Sequence, residues 1–371
     1  MAASPNWLNL DHVWLPYAQM ADVPRPLPVV AAAGVRLRLA DGRELIDGIS
    51  SWWTACHGYG HPHIVAAVQA QAAQLAHVMF AGIAHEPAYR LAARLAAKLP
   101  GDLDHVFFSE SGSVAVEIAL KMALQFWRNR GEPQRRGILA FRHGYHGDTF
   151  MAMAVTDPAV GMHDAFGGIV PPALFADLPC DETSTAALDA LLVREAPRVA
   201  AVIVEPLVQG AGGMRLHDAA TLARVRAACD RHGLLLIADE IMTGFGRSGT
   251  LFACEQAAIK PDIVCLSKAL TAGTLPLAAT VASQRVFAGF LGTEFAHALM
   301  HGPTFMANAL ACAAANASLD LFESEPRLQQ VAAIEAQLAR ELEPCRTLPG
   351  VVDVRVKGAI GVVELAAPAA G

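Results

Sequence analysis

Four unbroken apolar runs, Ile138–Phe141, Ala200–Val204, Leu234–Ala238 and Ile263–Leu266, constrain the fold of this 371-residue chain more than any other feature. Each has the length of a strand and none alternates with polar residues, so both faces of each strand must be buried. Helical patterns separate several of them. Ser111–Trp127 places Val114, Ile118 and Ala119 on one face, and Ala219–Arg231 repeats the habit. Buried strands alternating with helices predict an α/β architecture with a mostly parallel sheet. His105–Ser109 reads as a further short strand. The spacing of Ile64, Val68, Leu75, Leu91 and Leu95 predicts helix from His61 to Leu99. Near the N-terminus, Asp41-Gly42 predicts a hairpin between Val35–Leu39 and Glu44–Ile46.

Composition narrows the class. At 54% hydrophobic and 17% charged the chain can fill a sizeable core. The mean hydropathy of +0.35 comes largely from alanine-rich amphipathic stretches such as Leu91–Leu99. The apolar runs fall far short of the ~20 residues that span a bilayer, so no membrane partner is expected. No basic segment followed by an apolar core opens the sequence, so a secretory signal is not expected either. A net charge of −7 argues against a nucleic-acid partner. Cys56, Cys180, Cys229, Cys254, Cys265, Cys312 and Cys345 are odd in number, scattered and free of C-x-x-C spacing. They read as reduced thiols of a cytoplasmic protein. The groups His57/His61/His63 and His143/His146 lack nearby cysteines or an H-E-x-x-H pattern, so no metal is expected.

In open parallel sheets, ligands bind outside the carboxyl ends of the strands. Here Val204 is followed by Glu205, Ala238 by Asp239-Glu240, and Leu266 by Ser267-Lys268. His105–Phe108 runs into Ser109-Glu110-Ser111-Gly112-Ser113 and then a helix. A loop of small residues opening a helix offers free backbone N–H groups and the positive end of the helix dipole, which suits a phosphate. Taken singly, each feature has a plainer reading: an ordinary N-cap, a solvated lysine, a turn. Jointly they are the parts of a pyridoxal phosphate site. Lys268 supplies an amine for the aldehyde, Asp239 a carboxylate that keeps a pyridine nitrogen protonated, and Ser111, Gly112 and Ser113 the phosphate donors. Tyr145, in His143-Gly144-Tyr145-His146-Gly147-Asp148, offers an aromatic face to cover the ring.

The run Asp239-Glu240-Ile241-Met242-Thr243-Gly244-Phe245-Gly246-Arg247-Ser248-Gly249, with Pro261-Asp262-Ile263-Val264 and Ser267-Lys268-Ala269-Leu270, resembles the class III aminotransferase signature. Ser111–Glu117 and Glu205–Met214 fit the same family and occur in the expected order. The resemblance implies the fold-type I architecture of pyridoxal-phosphate-dependent transferases: a large domain over 51–310, and a small α/β domain built from 1–50 and 311–371. Trp14-Leu15-Pro16-Tyr17, Ser50-Ser51-Trp52-Trp53, His57-Gly58-Tyr59 and His301-Gly302-Pro303-Thr304-Phe305-Met306 resemble the branch of this class that aminates 8-amino-7-oxononanoate with S-adenosylmethionine as donor. Met242 agrees with that branch, since many class III relatives carry glutamine there.

By resemblance, Lys268 holds the cofactor and moves the Cα proton, while Asp239 faces the ring nitrogen. Tyr17, Trp52, Tyr145 and Gly302 would line the substrate pocket. Pro303 and Thr304 would reach the cofactor phosphate across a homodimer interface. Other roles remain open for several of these: core packing for Trp52-Trp53, a surface turn for Tyr17, a strand-end cap for Glu205, and a self-satisfied turn for His146 and Asp148. The family continues for several dozen residues past the point matching Gly371, and carries there an arginine that clamps a substrate carboxylate; Arg355 lies upstream of that place. Glu110, Ala272 and Pro276 are smaller departures. Two rival readings follow: a class III transaminase that takes its amine from an ω-amino acid, and a cofactor-binding homologue without turnover. A scaffold without cofactor would require the strand-end residues to coincide by chance.

Overall fold

The computed structural model describes residues 5–160 and 164–366. Its centre is a seven-stranded sheet. Numbering only the strands of this sheet, they are β1 (His105–Ser109), β2 (Gly137–Phe141), β3 (Leu174–Ala176), β4 (Val199–Val204), β5 (Leu235–Asp239), β6 (Ile263–Leu266) and β7 (Ala278–Ala282). Their spatial order is β1-β7-β6-β5-β4-β2-β3. All neighbours pair parallel except β7, which runs antiparallel to both β6 and β1. The apolar runs are strands because they are buried on both sides. Val199, Val202 and Val204 join one core, whereas Ala200, Ala201 and Ile203 join the other. The same division separates Leu236 and Ala238 from Leu235 and Ile237 in β5.

The principal helices are α1 (Pro62–Gln74), α2 (Glu86–Lys98), α3 (Gly112–Asn129), α4 (Glu182–Glu195), α5 (Ala219–His232), α6 (Ala309–Ser324) and α7 (Arg327–Leu342). α3 lies against β5, β6 and β7, and Thr280 Oγ1 donates to its Ala115 carbonyl at 2.9 Å. Ser111 caps it, accepting from the Val114 N–H at 3.4 Å. The continuous helix expected over His61–Leu99 is broken at 75–85. Leu75 turns extended (φ −159°), and Pro87 opens α2, where its missing N–H has no helical partner to lose. Periodicity alone carried the pattern across the gap. Two strands of the central sheet escaped the sequence: β3, three residues long, and β7, whose Ala-Ala-Thr-Val-Ala favours no period.

Outside the sheet, Arg36–Leu39 pairs antiparallel with Glu44–Ile46 around Asp41-Gly42, as expected, and Val29–Ala33 adds a third strand. At the other end of the chain, α7 leads into a hairpin of Val351–Lys357 and Ile360–Leu365. These N- and C-terminal pieces border one cavity of about 470 Å³ with Cys56, Arg247 and Arg327. Residues 367–371 lie outside the described residues.

Candidate active site

The carboxyl ends of β1, β2, β4, β5 and β6 face a common cavity of about 310 Å³. Gly112 and Ser113 line it from the start of α3, Tyr145 to Thr149 from the loop after β2, and Glu205, Gly210 and Ala211 from the segment after β4. Asp239, Ile241 and Met242 follow from β5, and Ser267 and Lys268 from β6. The parallel strands therefore deliver an acid, an amine and a helix N-terminus to one place, as the sequence predicted.

Asp239 is buried, and its charge is compensated locally. Its Oδ2 lies 2.7 Å from His146 Nδ1, and the Ile241 N–H donates to its Oδ1 at 3.1 Å. Lys268 opens a short 3₁₀ turn, at φ 45°. Its Nζ sits 4.6 Å from the centroid of the Trp53 ring, a cation–π contact. Burial lowers its pKa below the ordinary lysine value; Asp239 and Glu205 oppose that shift and Arg247 adds to it. A lysine so placed yields the free, nucleophilic amine more readily than an exposed one.

Glu205 is also buried. Its Oε2 accepts from the Tyr145 N–H and its Oε1 from the Gly210 N–H, both at 2.9 Å. Burial pushes its pKa up to about 7, with Asp239 in the same direction and His146 and the two N–H groups against it. The hydroxyl of Tyr145 donates to Asp148 Oδ1 at 2.9 Å, and that of Tyr17 reaches Asp148 Oδ2. Burial, followed by hydrogen bonds with Tyr17 and Asp148, raises the Tyr145 pKa far above the ordinary phenol value.

The phosphate end is shaped by close packing. A Cβ on Gly112 would lie 2.9 Å from Ile241 Cγ2, so glycine admits the helix start to this wall. Ser113 Oγ is engaged by Thr149, 2.8 Å from its Oγ1 and accepting from its N–H at 3.0 Å. Ser111 spends its hydroxyl on the helix cap and does not line the cavity.

Gly302, Pro303 and Thr304 are not brought to this cavity within one chain. Their segment is pinned by Lys121, whose Nζ donates to the Met300 carbonyl at 2.7 Å. Thr304 is exposed. Trp52 is 56% exposed and also stands outside the cavity, its ring edge-on to Tyr17 at 6.1 Å. Its neighbour Trp53 lines the wall instead. The cause is local: Ser50, Ser51, Trp52 and Trp53 all take positive φ (53°, 45°, 54° and 65°), forming a left-handed turn. Each such residue costs about 1–2 kcal/mol. Asp47 anchors the turn by accepting from the N–H groups of Ile49 (3.0 Å) and Ser51 (2.8 Å), and the Tyr59 hydroxyl bonds both Asp47 and Ser51.

Trp53, Thr149 and the His146–Asp239 pair are site features that no single sequence signal assigns. The strand order, which places β2 beside β4 and β4 beside β5, is what joins His146 to Asp239.

A buried acid–histidine pair, a desolvated lysine and a glycine-opened helix on a mixed sheet define a fold-type I transferase built around pyridoxal phosphate. The residues fit that group: N–H donors at one end of the cavity, a carboxylate from β5, and an amine from β6. The model of the class III aminotransferase family matches residues 17–370. The adenosylmethionine-8-amino-7-oxononanoate aminotransferase of Corynebacterium glutamicum is 48% identical over 98% of this chain and 87% of its own length. The enzyme of the same name from Mycobacterium leprae is 48% identical, covering 96% and 84%. Among solved structures, the enzyme of that name from Methanocaldococcus jannaschii superposes with a TM-score of 0.92 at 34% identity, over 95% of this chain and 82% of that one. An amine transaminase from an uncultivated Pseudomonas species, in its pyridoxal-phosphate-bound form, gives a TM-score of 0.88 at 36% identity, over 95% and 83%. This chain belongs to the class III aminotransferases, and its cofactor is pyridoxal phosphate. Among the described residues no helix is long and apolar enough to cross a membrane.

Proposed function

We propose that this chain transfers the amino group of S-adenosylmethionine to 8-amino-7-oxononanoate, giving 7,8-diaminononanoate for biotin biosynthesis. The observation that carries this reading is the 48% identity, over nearly the whole chain, to two relatives bearing that name. The Tyr17–Asp148–Tyr145 hydroxyl and carboxylate cluster supports it, offering polar contacts at the cavity mouth to a substrate rich in amino and carbonyl groups. When bound, pyridoxal phosphate supplies an aldehyde that takes up the amino group and a ring that spreads the electrons released at Cα.

This chain's residues do the rest. Lys268 Nζ would hold the group and, once freed, carry the proton to and from the substrate carbon, a task its lowered pKa favours. Asp239, buttressed by His146, would keep the ring nitrogen protonated. The Gly112 and Ser113 N–H groups and the positive end of α3 would take the phosphate. Tyr145 and Trp53, which line the cavity, would meet the substrates, with Tyr17 at its mouth through Asp148; Trp52, outside the cavity, would act only by packing on Tyr17. Gly302, Pro303 and Thr304, outside the cavity of their own chain, suit a homodimer in which each copy completes the other's site. Seven free thiols suit the cytoplasm.

The test uses protein reconstituted with pyridoxal phosphate, following the absorbance of the lysine-linked cofactor as each donor is added. Loss of the band with S-adenosylmethionine and its return with 8-amino-7-oxononanoate is the expected result. A response to lysine or 4-aminobutyrate alone overturns the substrate assignment, and a band that persists with every donor overturns turnover itself. Lys268→Ala should abolish the link that borohydride fixes.

A further inference from the structure

One wall of the cavity is part of a small hairpin. Val208–Gln209 pairs with Arg215–Leu216, and its tip is Gly210 to Met214. Gly210 and Ala211 line the cavity, and the Gly210 N–H holds Glu205. The tip is closed on itself by the Met214 N–H, which donates to the Gly210 carbonyl at 2.8 Å. Its outer edge is two carbonyls, and both are taken by one side chain from the far end of the sequence. Arg355 Nε donates to the Met214 carbonyl at 3.1 Å, and Nη2 to the Gly213 carbonyl at 3.0 Å.

Arg355 is itself fixed. Its Nη1 donates to Asp353 Oδ2 at 2.8 Å and also bonds Glu364 from the opposite strand of the C-terminal hairpin. That hairpin is also tied to the segment after β5, because the Ala359 N–H donates to the carbonyl of Arg247 at 3.0 Å. Ile360 sits in the main core. A core-anchored hairpin therefore presents a guanidinium whose Nε–Nη2 edge grips the tip of a loop that forms the active-site wall. Only a planar fork can serve two adjacent carbonyls while held from behind by two carboxylates.

We propose that Arg355 is a positioning residue for the transamination site: it fixes the 210–214 tip, and through Gly210 the Glu205 side of the substrate cavity. This rests on the aminotransferase reading above for its kinetic arm only.

The experiment compares holoenzyme carrying Arg355→Ala or Arg355→Lys with Arg346→Ala as control. Arg346 lies on the same terminal unit and bonds Glu343, Asp353 and the Val354 carbonyl, without touching the tip. Hydrogen–deuterium exchange of the amides in 207–216 should speed up in both Arg355 variants and not in Arg346→Ala. KM for both substrates should rise about tenfold, equivalent to ~1.4 kcal/mol, with kcat changed by no more than about twofold and the cofactor band unmoved. Lysine should not rescue. Unchanged exchange in the Arg355 variants, or the same exchange and KM changes in Arg346→Ala, would overturn the proposal. Should the wild type fail to turn over either substrate, the proposed reaction falls while the exchange arm still decides the role of Arg355.

Discussion

Replacing His146 with leucine removes the side chain that meets Asp239 Oδ2, in a place that water barely reaches. The pair is 2.7 Å apart, with side-chain exposures of 1% and 5%. A hydrogen bond to a charged group contributes ~1.5–3 kcal/mol, and leaving a buried carboxylate oxygen without its partner costs ~3 kcal/mol or more. Asp239 keeps the Ile241 N–H on its other oxygen, so the loss should fall near the overlap of these ranges, about 3 kcal/mol. Urea unfolding of the apo-protein at neutral pH reads it without interference from the cofactor. Asparagine at 146, which can present an N–H near Nδ1, should recover part of the loss. Combining His146→Leu with Asp239→Asn should give a double-mutant coupling of at least ~1 kcal/mol. A coupling below ~0.5 kcal/mol, with both single variants folded, would refute the account of how a carboxylate is kept at the buried end of β5.

Glu205 should make stability pH-dependent in an unusual direction. Its folded pKa of about 7 exceeds the ordinary 4.5, so the folded state holds the proton more tightly and stability declines as pH rises from 4.5 through 7, by up to ~3 kcal/mol. Glu205→Gln should flatten that decline when unfolding free energies are compared across the interval; a parallel pair of curves would contradict it. His57 works in the opposite sense, since burial lowers its pKa from 6.5 to about 4. Its contribution is complete above pH 6.5 and drains away as pH falls through 4, again by at most ~3 kcal/mol, and His57→Gln should remove that acid-side slope in the same titration. At Gly212 a Cβ would sit 1.7 Å from the His143 carbonyl oxygen, so Gly212→Ala must displace backbone. It should lower stability by ~2–4 kcal/mol and raise KM, measured by thermal melting and steady-state rates; a Tm within a degree or so of wild type would show that the loop yields freely.

What the sequence disclosed depended on whether the signal was local. β4, β5 and β6 were legible because strands buried on both faces leave unbroken apolar runs, and the residues after them fell where parallel sheets bind ligands. β7 was not, because its antiparallel insertion between β6 and β1 needs only small residues, and Ala278–Ala282 carries no pattern. Lys268 and Asp239 were readable as strand-end polar residues; that His146 supports Asp239 was not, since the two are 93 positions apart and meet through strand order. Trp52 and Trp53 were visible as a pair, but which one faces the cavity depends on a left-handed turn that four non-glycine residues do not advertise. Arg355 was legible only as an arginine upstream of the place where the family carries its carboxylate clamp, whereas its grip on Gly213 and Met214 needs coordinates.

That left-handed turn has a consequence for how this stretch can change over time. Two indoles adjacent in the chain answer to unrelated surroundings, one to the lysine amine and one to the outer surface beside Tyr17. Substitutions at 52 and 53 should therefore drift independently across descendants of this sequence. A deletion of one residue between Asp47 and Trp52 would shift the pair by one place, setting the second indole at the outer surface and leaving none beside the lysine amine, a far harsher event than losing the outer ring.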